Sequence, residues 1–344
     1  MPFRPNAMRI GILGFYIILF SFTTFVLLYQ FVIPHGGIVI TDPVITTTIT
    51  TTITSSGPVT TVTTEGGTTS VVPGTTTEQT TTEPVTTTTA GLAYPGTVPA
   101  VLTAGTVIGT YESETVLLTL YQIRATNSDV YVADVVVESA YEILGAFAYN
   151  TFGGTNIVET VSTMANNHDA VFAINSDYAS HYSTGFVIRN GAILRSTVSN
   201  RSAVALLSDG TVITLKEADT TVQAVFDDGA WQLWSFGPIL VQNGVMVASV
   251  NDGLARDAVN NPRSGFGAVG TNHFMFVTVD GRTDASHGAD IEEFAWIMIS
   301  LGCVTAYNFD GGGSATMWFD GAVVNKPSEG TERKVGDCVY IRRT

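Results

Sequence analysis

The residues best suited to chemistry follow two apolar segments in the C-terminal third of the chain. Phe274–Val279 runs into Asp-Gly-Arg, and Thr305–Phe309 runs into Asp-Gly-Gly-Gly-Ser. An arginine offers a planar hydrogen-bonding fork to a phosphate, and consecutive glycines let a ligand approach backbone N–H groups that can cradle an anion. This pattern predicts a site for a phosphate-like group with a carboxylate beside it. Its candidate residues are Asp280, Arg282, Asp310, Gly311, Gly312, Gly313 and Ser314.

The sequence between these two segments predicts how the candidates are brought together. Ile291–Leu301 carries apolar residues on one helical face, and Gly302 follows as a natural helix stop. A strand, a helix and a strand joined by short links form a βαβ unit, whose two parallel strands share a carboxyl edge. We therefore expect the acidic, arginine and glycine candidates to converge on one crevice. In the alternative, the Asp-Gly pairs are ordinary turns, which is our interpretation of Asp320-Gly321.

Four polar residues elsewhere are weaker candidates for the same crevice. Asn175 is the last residue of the strand predicted over Ala170–Asn175, and Asp177 follows it. The two side chains either face the site or form an Asx turn. Arg201 and Arg263 stand beside small residues, as a ligand-binding arginine would. The alternative for each arginine is a surface position or an ion pair.

Acidic and metal-binding side chains give a further set of expectations. Glu293 is a candidate second carboxylate, although the helix dipole favours acids in a first helical turn whether or not they act. The five histidines show no metal-ligand spacing and the chain has no Cys-x-x-Cys pair, so we expect no metal site. A divalent cation beside Asp280 and Asp310 has no supporting ligand spacing. We expect no cofactor.

Charge and cysteine content limit the partners and the compartment. The formal net charge of -15 over 344 residues argues against nucleic acid as a partner, because phosphate contacts need a basic surface. The two cysteines, Cys303 and Cys338, either form a disulfide in an extracytoplasmic domain or are buried free thiols.

The N-terminal part of the chain predicts a membrane anchor. Ile10–Ile33 is a nearly unbroken apolar run, long enough for a helix to cross a bilayer. Arg4 and Arg9 precede it and the next basic residue is Arg124, which places residues 1–9 inside and the rest outside. The prediction is a single-pass cell-membrane protein with an extracytoplasmic domain. A cleaved signal peptide is the alternative.

Two further zones follow the predicted anchor. Residues 34–97 are rich in threonine and poor in large apolar side chains, which predicts a disordered stalk that acts as a spacer. Residues 98–344 contain short apolar segments, Gly-centred turns and few helices, which predicts one α+β domain with a mixed β-sheet. Hairpins are predicted at four dipeptides flanked by apolar segments, namely Asn190-Gly191, Asp209-Gly210, Asn243-Gly244 and Asp320-Gly321.

Motifs in this domain resemble those of the phosphodiester glycosidase family. AYNFDGGGSATM, followed by GAVVNKPS and ERKVGD, is similar to the family's C-terminal signature. AINSDY, WSFGPILVQNG, NPRSGFGAV and FVTVDGR follow in the family's order, and the similarity spans about residues 115–342. Two departures, Ser176 in AINSDY and Ala285 before Ser-His-Gly, keep the charged candidates and put the identity of the substrate in question.

The resemblance implies hydrolysis of a sugar-1-phosphodiester at the bond between the anomeric carbon and oxygen. A departing phosphate needs cationic and N–H stabilisation, and a carboxylate must lie near the anomeric carbon. We assign Arg263, Arg282 and the Gly311–Gly313 amides to the phosphate. Asp310 is the favoured carboxylate.

The remaining candidates have supporting roles in this hypothesis. Glu293 or Asp177 is the second carboxylate, Asn175 and Asp177 bind sugar hydroxyls, and Arg201 orients a carboxylate or the phosphate. The expected substrate is a cell-surface glycan or wall polymer. The main alternative is a non-catalytic glycan-binding protein of the same fold, and a purely structural surface protein would leave the site residues unexplained.

Overall fold

The computed structural model describes residues 37–40, 92–154, 156–250 and 257–344. The chain divides into two units, residues 1–42 together with 92–344, and residues 43–91. The predicted anchor at 10–33 and most of the predicted stalk lie outside the described residues. Within the described ranges, no helix has the length and apolar character needed to cross a bilayer.

The described part of the first unit consists mainly of short strands. The strands are β1 Ile38–Val39, β2 Thr106–Glu112, β3 Val116–Ala125, β4 Ser128–Val137, β5 Leu144–Phe147, β6 Thr151–Phe152, β7 Ala170–Asn175, β8 Val187–Arg189, β9 Ala192–Arg195, β10 Ser202–Leu207, β11 Val212–Lys216, β12 Ala230–Trp234, β13 Ile239–Gln242, β14 Val245–Met246, β15 Arg263–Gly270, β16 His273–Val279, β17 Thr305–Asn308, β18 Met317–Phe319, β19 Ala322–Val323 and β20 Asp337–Arg342. The helices are α1 Ala100–Thr103, α2 Val161–Asn167, α3 Val222–Asp227 and α4 Ile291–Ser300.

These strands form three larger sheets and one two-stranded ribbon. The eight-stranded sheet has the order β14-β13-β17-β15-β16-β4-β3-β2. A five-stranded sheet has the order β19-β18-β7-β20-β5, another has the order β11-β10-β12-β8-β9, and β1 pairs with β6. The predicted α+β class is confirmed. The predicted mixed sheet is not, because neighbouring strands in the described residues pair antiparallel throughout.

The core has apolar side chains on both faces of the eight-stranded sheet. On one face, Phe274 and Phe276 of β16 pack into the cluster shared with β7, where Phe172 and Phe276 have ring centroids 5.4 Å apart. On the other face, Met275 and Val277 share a cluster with helix α4. Successive side chains of a strand point to opposite faces, so a strand covered on both sides is apolar throughout.

Strand β15 corrects the prediction of a simple βαβ unit. Strands β16 and β17 are both antiparallel to β15, which lies between them. They therefore run parallel to each other, as predicted, but they are not hydrogen-bonded neighbours. Helix α4 connects them across β15, and the unit is a split βαβ.

Two glycines explain the position of β15. They also explain why its sequence, RSGFGAVG, did not predict a strand. A Cβ on Gly265 would lie 2.7 Å from the Phe294 ring, and one on Gly267 would lie 2.6 Å from Cys303 Sγ. Helix α4 thus packs directly on the bare backbone of this strand. The close contact replaces the β-branched and aromatic residues that usually mark a strand.

Local signals predicted the turns and the main helix well. All four predicted hairpins are present, as β8–β9, β10–β11, β13–β14 and β18–β19. Helix α4 ends one residue before the predicted Leu301, and Gly302 follows with φ 85°. Helix α2 begins after Thr160, whose side chain accepts a hydrogen bond from Thr163 N.

Both ends of the predicted stalk belong to the domain. Ile38 and Val39 pair with Phe152 and Thr151, and Ile40 packs on the adjoining apolar cluster. At the other end, Tyr94 donates a 2.8 Å hydrogen bond to Asp134, on β4. These described residues near the two ends of the predicted stalk therefore contact the domain, and the boundaries of 34 and 97 stay a prediction.

The two cysteines are buried free thiols. Cys303 belongs to the cluster beneath α4, whereas Cys338 belongs to the cluster between the two sheets. Burial raises the pKa of both thiols. Of the two alternatives, a disulfide or two buried free thiols, the structure therefore shows the free thiols.

Candidate active site

Three strand ends meet at one edge of the eight-stranded sheet. Because β15 runs antiparallel to both neighbours, its first residue, Arg263, lies opposite Val279, and Gly265 lies opposite Asn308. Pro262 is held closely between two glycines. A Cβ on Gly281 would lie 2.7 Å from Pro262 N, and one on Gly311 would lie 2.6 Å from Pro262 O. The glycines allow the three chain segments to close around a common cavity.

The cavity has a volume of about 180 Å³ and polar walls. Its charged lining residues are three arginines and two aspartates, which leave a formal charge of +1 in a chain whose net charge is -15. A cationic pocket in an acidic protein favours a small anion or an anionic ester. The lining residues are Phe236, Gly237, Asp257, Asn261, Pro262, Arg263, Arg282, Asn308, Asp310, Gly311, Gly312 and Arg333.

Arg282 is held in a strained conformation at the cavity wall. Its φ of 64° lies in the left-handed region, which costs a non-glycine residue on the order of 1 kcal/mol. Its Nε and Nη2 donate to Asn261 Oδ1 at 3.2 and 3.1 Å. A Cβ on Gly312 would lie 3.0 Å from Arg282 Nη2, so the glycine leaves room for the guanidinium.

Arg263 is a buried lining residue that also organises the backbone. Its Nε donates to Ala289 O at 2.9 Å, and its Nη2 donates to Val259 O at 3.1 Å and Asp257 O at 3.3 Å. These bonds fix the loop before β15 and the start of helix α4. The side chain has the predicted location, and part of its donor capacity serves the protein itself.

Arg333 is a third cationic lining residue, and sequence analysis did not select it. Its guanidinium forms an ion pair with Glu329 through Nη2. The hydrogen bond that Arg333 donates to Glu329 is the main reason that the pKa of Arg333 is raised, and the charge of Asp310 adds to the effect. A Cβ on Gly313 would collide with both members of this pair. The last glycine of the run thus leaves room for an ion pair.

Asp310 lines the cavity on a backbone that Asn175 holds. Asp310 N donates to Ser176 O at 3.0 Å, and Asp310 O accepts from Asn175 Nδ2 at 2.6 Å. Asn175 Oδ1 accepts from Ser264 Oγ and Thr316 N. Asn175 is therefore buried and positions the loop, which corrects its predicted contact with sugar hydroxyls.

The predicted glycine cradle is only partly available to a ligand. Gly312 N donates to Pro262 O at 2.8 Å, and Ser314 N donates to Gly311 O at 3.2 Å. Gly311 and Gly312 line the cavity, whereas Gly313 and Ser314 are buried behind it. The run of small residues mainly permits close backbone packing.

Asp177 lies in a buried ionic cluster away from the cavity lining. Its Oδ1 accepts from Arg189 Nη2 at 2.5 Å, and its Oδ2 accepts from Ser235 N at 2.8 Å. Asp337 accepts from the same Arg189 Nη2 at 3.0 Å. Burial, followed by the charge of Asp177, raises the pKa of Asp337. The prediction of Asp177 as a second carboxylate or sugar ligand is corrected to a structural ion pair.

Glu293 and Arg201 also have partners outside the cavity lining. Glu293 completes a capping box at the start of α4, where Asp290 N donates to Glu293 Oε2 and Glu293 N donates to Asp290 Oδ1. Arg201 lies 3.8 Å above the Tyr182 ring and donates to Thr184 O at 3.1 Å. The predicted catalytic role of Glu293 and the predicted orienting role of Arg201 find no support in these positions.

Asp280, the residue after β16, is buried against the turn that follows β19. Its Oδ1 accepts from Asn325 Nδ2 at 3.1 Å and Lys326 N at 3.0 Å, so its carboxylate anchors that turn and does not line the cavity. Burial raises its pKa to about 6, against these hydrogen bonds, which lower it. Its predicted contact with substrate is replaced by a structural one.

The raised pKa of Asp280 predicts a pH-dependent stability. The folded protein binds a proton at Asp280 more tightly than the unfolded chain does, so this stabilisation is complete below pH 4 and is lost as the pH rises through 6. The loss of stability is at most about 3 kcal/mol when the pKa of a carboxyl group is raised from its ordinary value to about 6. We expect Asp280→Asn to gain stability relative to wild type between pH 4 and pH 7. Urea unfolding of both proteins across this pH range measures the difference in stability. Parallel pH profiles of the two proteins would contradict the prediction.

Four lining residues with polar or charged side chains were not selected from the sequence, namely Asp257, Asn261, Asn308 and Arg333. Asn308 carried a usable signal, because it precedes Asp310 by two positions at the end of a strand. Alternate strand residues point to the same side. Asp257 and Arg333 come from loops whose approach to the cavity depends on long-range packing.

No group of three or more His, Cys, Asp or Glu side chains is arranged to hold a metal ion in the described ranges. Asp280 and Asp310, considered above as possible cation ligands, are turned to different surroundings, the 325–326 turn and the cavity. The absence of a cofactor remains a prediction.

The fold and the site define an α+β domain with an arginine-rich cavity that contains two aspartates. Residues 168–342 match the phosphodiester glycosidase family, NAGPA, which is just over half of the 344-residue chain. The chain therefore belongs to the phosphodiester glycosidase family, as its motifs predicted.

The chain is also similar to two individual proteins. The SPbeta prophage-derived uncharacterized protein YomE of Bacillus subtilis is 28% identical over 198 residues, which are 56% of this chain and 31% of that protein. The chain thus spans about a third of that relative's length. The catalytic domain of zebrafish N-acetylglucosamine-1-phosphodiester α-N-acetylglucosaminidase, auto-inhibited by its pro-peptide, has a TM-score of 0.53 at 18% identity, with 72% of this chain and 87% of that chain covered. It shares the fold.

Proposed function

We propose that this protein is an extracytoplasmic hydrolase that cleaves a sugar-1-phosphodiester bond in a cell-surface polysaccharide or wall polymer. The observation that carries the proposal is the cavity, where Arg263, Arg282 and Arg333 lie with Asp310 and Asp257. Membership of the phosphodiester glycosidase family supports the reaction class. The predicted anchor supports the location, because Arg4 and Arg9 precede it and no Lys or Arg follows it before Arg124.

The reaction fits a cationic cavity because its leaving group is an anion. The bond between the anomeric carbon and the bridging oxygen breaks, and the electron pair leaves with the phosphate monoester. Water supplies a hydroxyl to the anomeric carbon, and its other proton passes to a carboxylate or to solvent. Phosphate is a stable leaving group, so charge stabilisation by arginine replaces much of the protonation that a sugar alcohol would need.

The lining residues suggest how the roles are divided. Arg282 and Arg333 bind the phosphate oxygens, and Arg263 holds the loop before β15 while presenting part of its guanidinium to the cavity. Asp310 acts at the anomeric carbon or on the attacking water. Asp257 is the other carboxylate of the cavity lining and takes the second acidic role that Glu293 and Asp177 cannot take from their positions.

The test is hydrolysis by the full-length protein of a panel of sugar-1-phosphodiesters, starting with one of N-acetylglucosamine, the sugar in the name of the structurally similar zebrafish enzyme. We expect release of free sugar and phosphate monoester in equal amounts, with and without chelator. Saturable binding to anionic wall polymer without release of either product would instead support the glycan-binding alternative. Loss of activity with chelator would overturn the metal-free prediction alone.

A further inference from the structure

We infer that Asn308 determines sugar specificity, because its carboxamide oxygen accepts a hydrogen bond from a hydroxyl or amide N–H of the sugar in the cavity. The inference rests on the proposed function. It identifies which wall of the cavity faces the sugar and which kind of substituent that wall requires.

The orientation of the Asn308 side chain is fixed by its own neighbours. Asn308 ends β17, beside Gly265 of β15, and its backbone N donates to Pro238 O at 3.1 Å. Its Nδ2 donates to Gly237 O at 2.8 Å. Because a carbonyl oxygen can only accept, this contact assigns the nitrogen to the Gly237 side and leaves Oδ1 as the other end of the amide.

The Asn308 oxygen is buried and lacks a donor among the described residues. Asn308 is 3% exposed and lines the cavity, and its Oδ1 receives no hydrogen bond from the described part of the chain. Leaving a buried acceptor without a hydrogen bond destabilises the protein. A protein retains such an unsatisfied acceptor most readily where a bound ligand can donate a hydrogen bond to it.

Two other buried asparagines show that this is a property of the position. Asn175 Oδ1 accepts from Ser264 Oγ and Thr316 N. Asn325 Oδ1 accepts from Met317 N at 2.8 Å, and its Nδ2 donates to Asp280 and to Ala315 O. Both amides are satisfied at their two ends within the protein. Asn308 is a lining residue of the cavity, and its nitrogen is hydrogen-bonded whereas its oxygen is not in the described residues.

The chemistry of an acceptor defines what can bind to it. A phosphodiester oxygen carries no proton and would be repelled by the Asn308 oxygen, whereas a sugar hydroxyl or an acetamido N–H can donate. The phosphate must then lie on the arginine side, near Arg282 and Arg333, and the sugar ring on the Asn308 side. A site built to pair one polar substituent discriminates strongly against an analogue that lacks it.

The first experiment uses the wild-type full-length protein and calorimetric binding of N-acetylglucosamine 1-phosphate and glucose 1-phosphate. Each sugar hydroxyl is replaced in turn by hydrogen and by fluorine. We expect one position at which both replacements weaken binding about 10–100-fold, because fluorine can accept but cannot donate. For an acetamido donor, the loss appears between the two parent sugars instead.

The second experiment assigns this discrimination to Asn308. Asn308→Ala should bind the parent and the discriminated analogue within threefold of each other. Asn325→Ser, which alters a buried amide outside the cavity lining, should keep the wild-type ratio. Because the fluorine comparison needs no variant, it decides the question even if Asn308→Ala does not fold.

Several outcomes would overturn the inference. These are tolerance of every replacement within threefold, full binding of the fluorine analogue, an unchanged ratio in Asn308→Ala, or no binding of either sugar phosphate. Normal discrimination in binding without hydrolysis of any phosphodiester would leave the role of Asn308 in place and reject the proposed enzymatic function.

Discussion

Asp310→Asn should lower kcat for sugar-1-phosphodiester hydrolysis by about 10²–10⁴-fold, the range for loss of a catalytic acid or base. The carboxylate is removed, whereas the hydrogen bonds from Asp310 N to Ser176 O and from Asn175 Nδ2 to Asp310 O involve the backbone of this residue. The fold should therefore be kept. Steady-state kinetics together with thermal unfolding of the same preparation measure both expectations.

Asp320→Asn is the matched control, because Asp320 also begins an Asp-Gly pair but lies at the β18–β19 hairpin. Its ion pair with Arg343 is exposed, so activity and stability should stay close to wild type. Full activity of Asp310→Asn would remove Asp310 from the mechanism. Equal losses in the two variants would indicate a general effect of the substitution.

Arg189→Met should destabilise the domain by about 3–5 kcal/mol, the usual cost of leaving buried charges without their partner. The guanidinium is 1% exposed, donates to Asp177 and Asp337, and lies between the rings of Phe147 and Trp234. Methionine fills part of the volume but leaves the two carboxyl groups facing each other. Urea unfolding at neutral pH gives the free energy.

Two comparisons separate charge from packing in this cluster. Arg124→Met removes an exposed ion pair with Asp129 and should change stability by about 1 kcal/mol or less. Adding Asp177→Asn and Asp337→Asn to Arg189→Met should recover part of the loss, because the repulsion disappears. A loss in Arg189→Met no larger than that in Arg124→Met would show that the cluster contributes little.

Local patterns predicted the elements and the meeting point of the site. Apolar runs, Asp-Gly pairs and Gly302 depend on a few neighbouring residues, and the corresponding strands, hairpins and helix α4 are present. The convergence of Arg282 and Asp310 was predicted for nearly the right reason, because β16 and β17 do run parallel. Strand β15 between them was missed, since its glycines are explained only by the helix packed against them.

Assignments that depend on long-range pairing could not be read from the sequence. Asp177 follows a strand end as plausibly as Asp310 does, and only the approach of Arg189 from another sheet shows that it is an ion-pair partner. Glu293 could have been predicted as a capping residue, because Asp290 precedes it by three positions. Arg333 reaches the cavity from a loop that no local pattern directs there.

The short strand at Ile38–Val39 bears on the predicted membrane anchor, because it begins only a few residues after residues 10–33. If residues 10–33 cross a bilayer, only residues 34–36 separate the bilayer from backbone already paired with β6, and three extended residues reach about 10 Å. The described residues on either side of the threonine-rich segment, Ile40 and Leu92, belong to one unit. A domain held in this way would reach polymer rooted close to the lipid headgroups and not its distant outer chains.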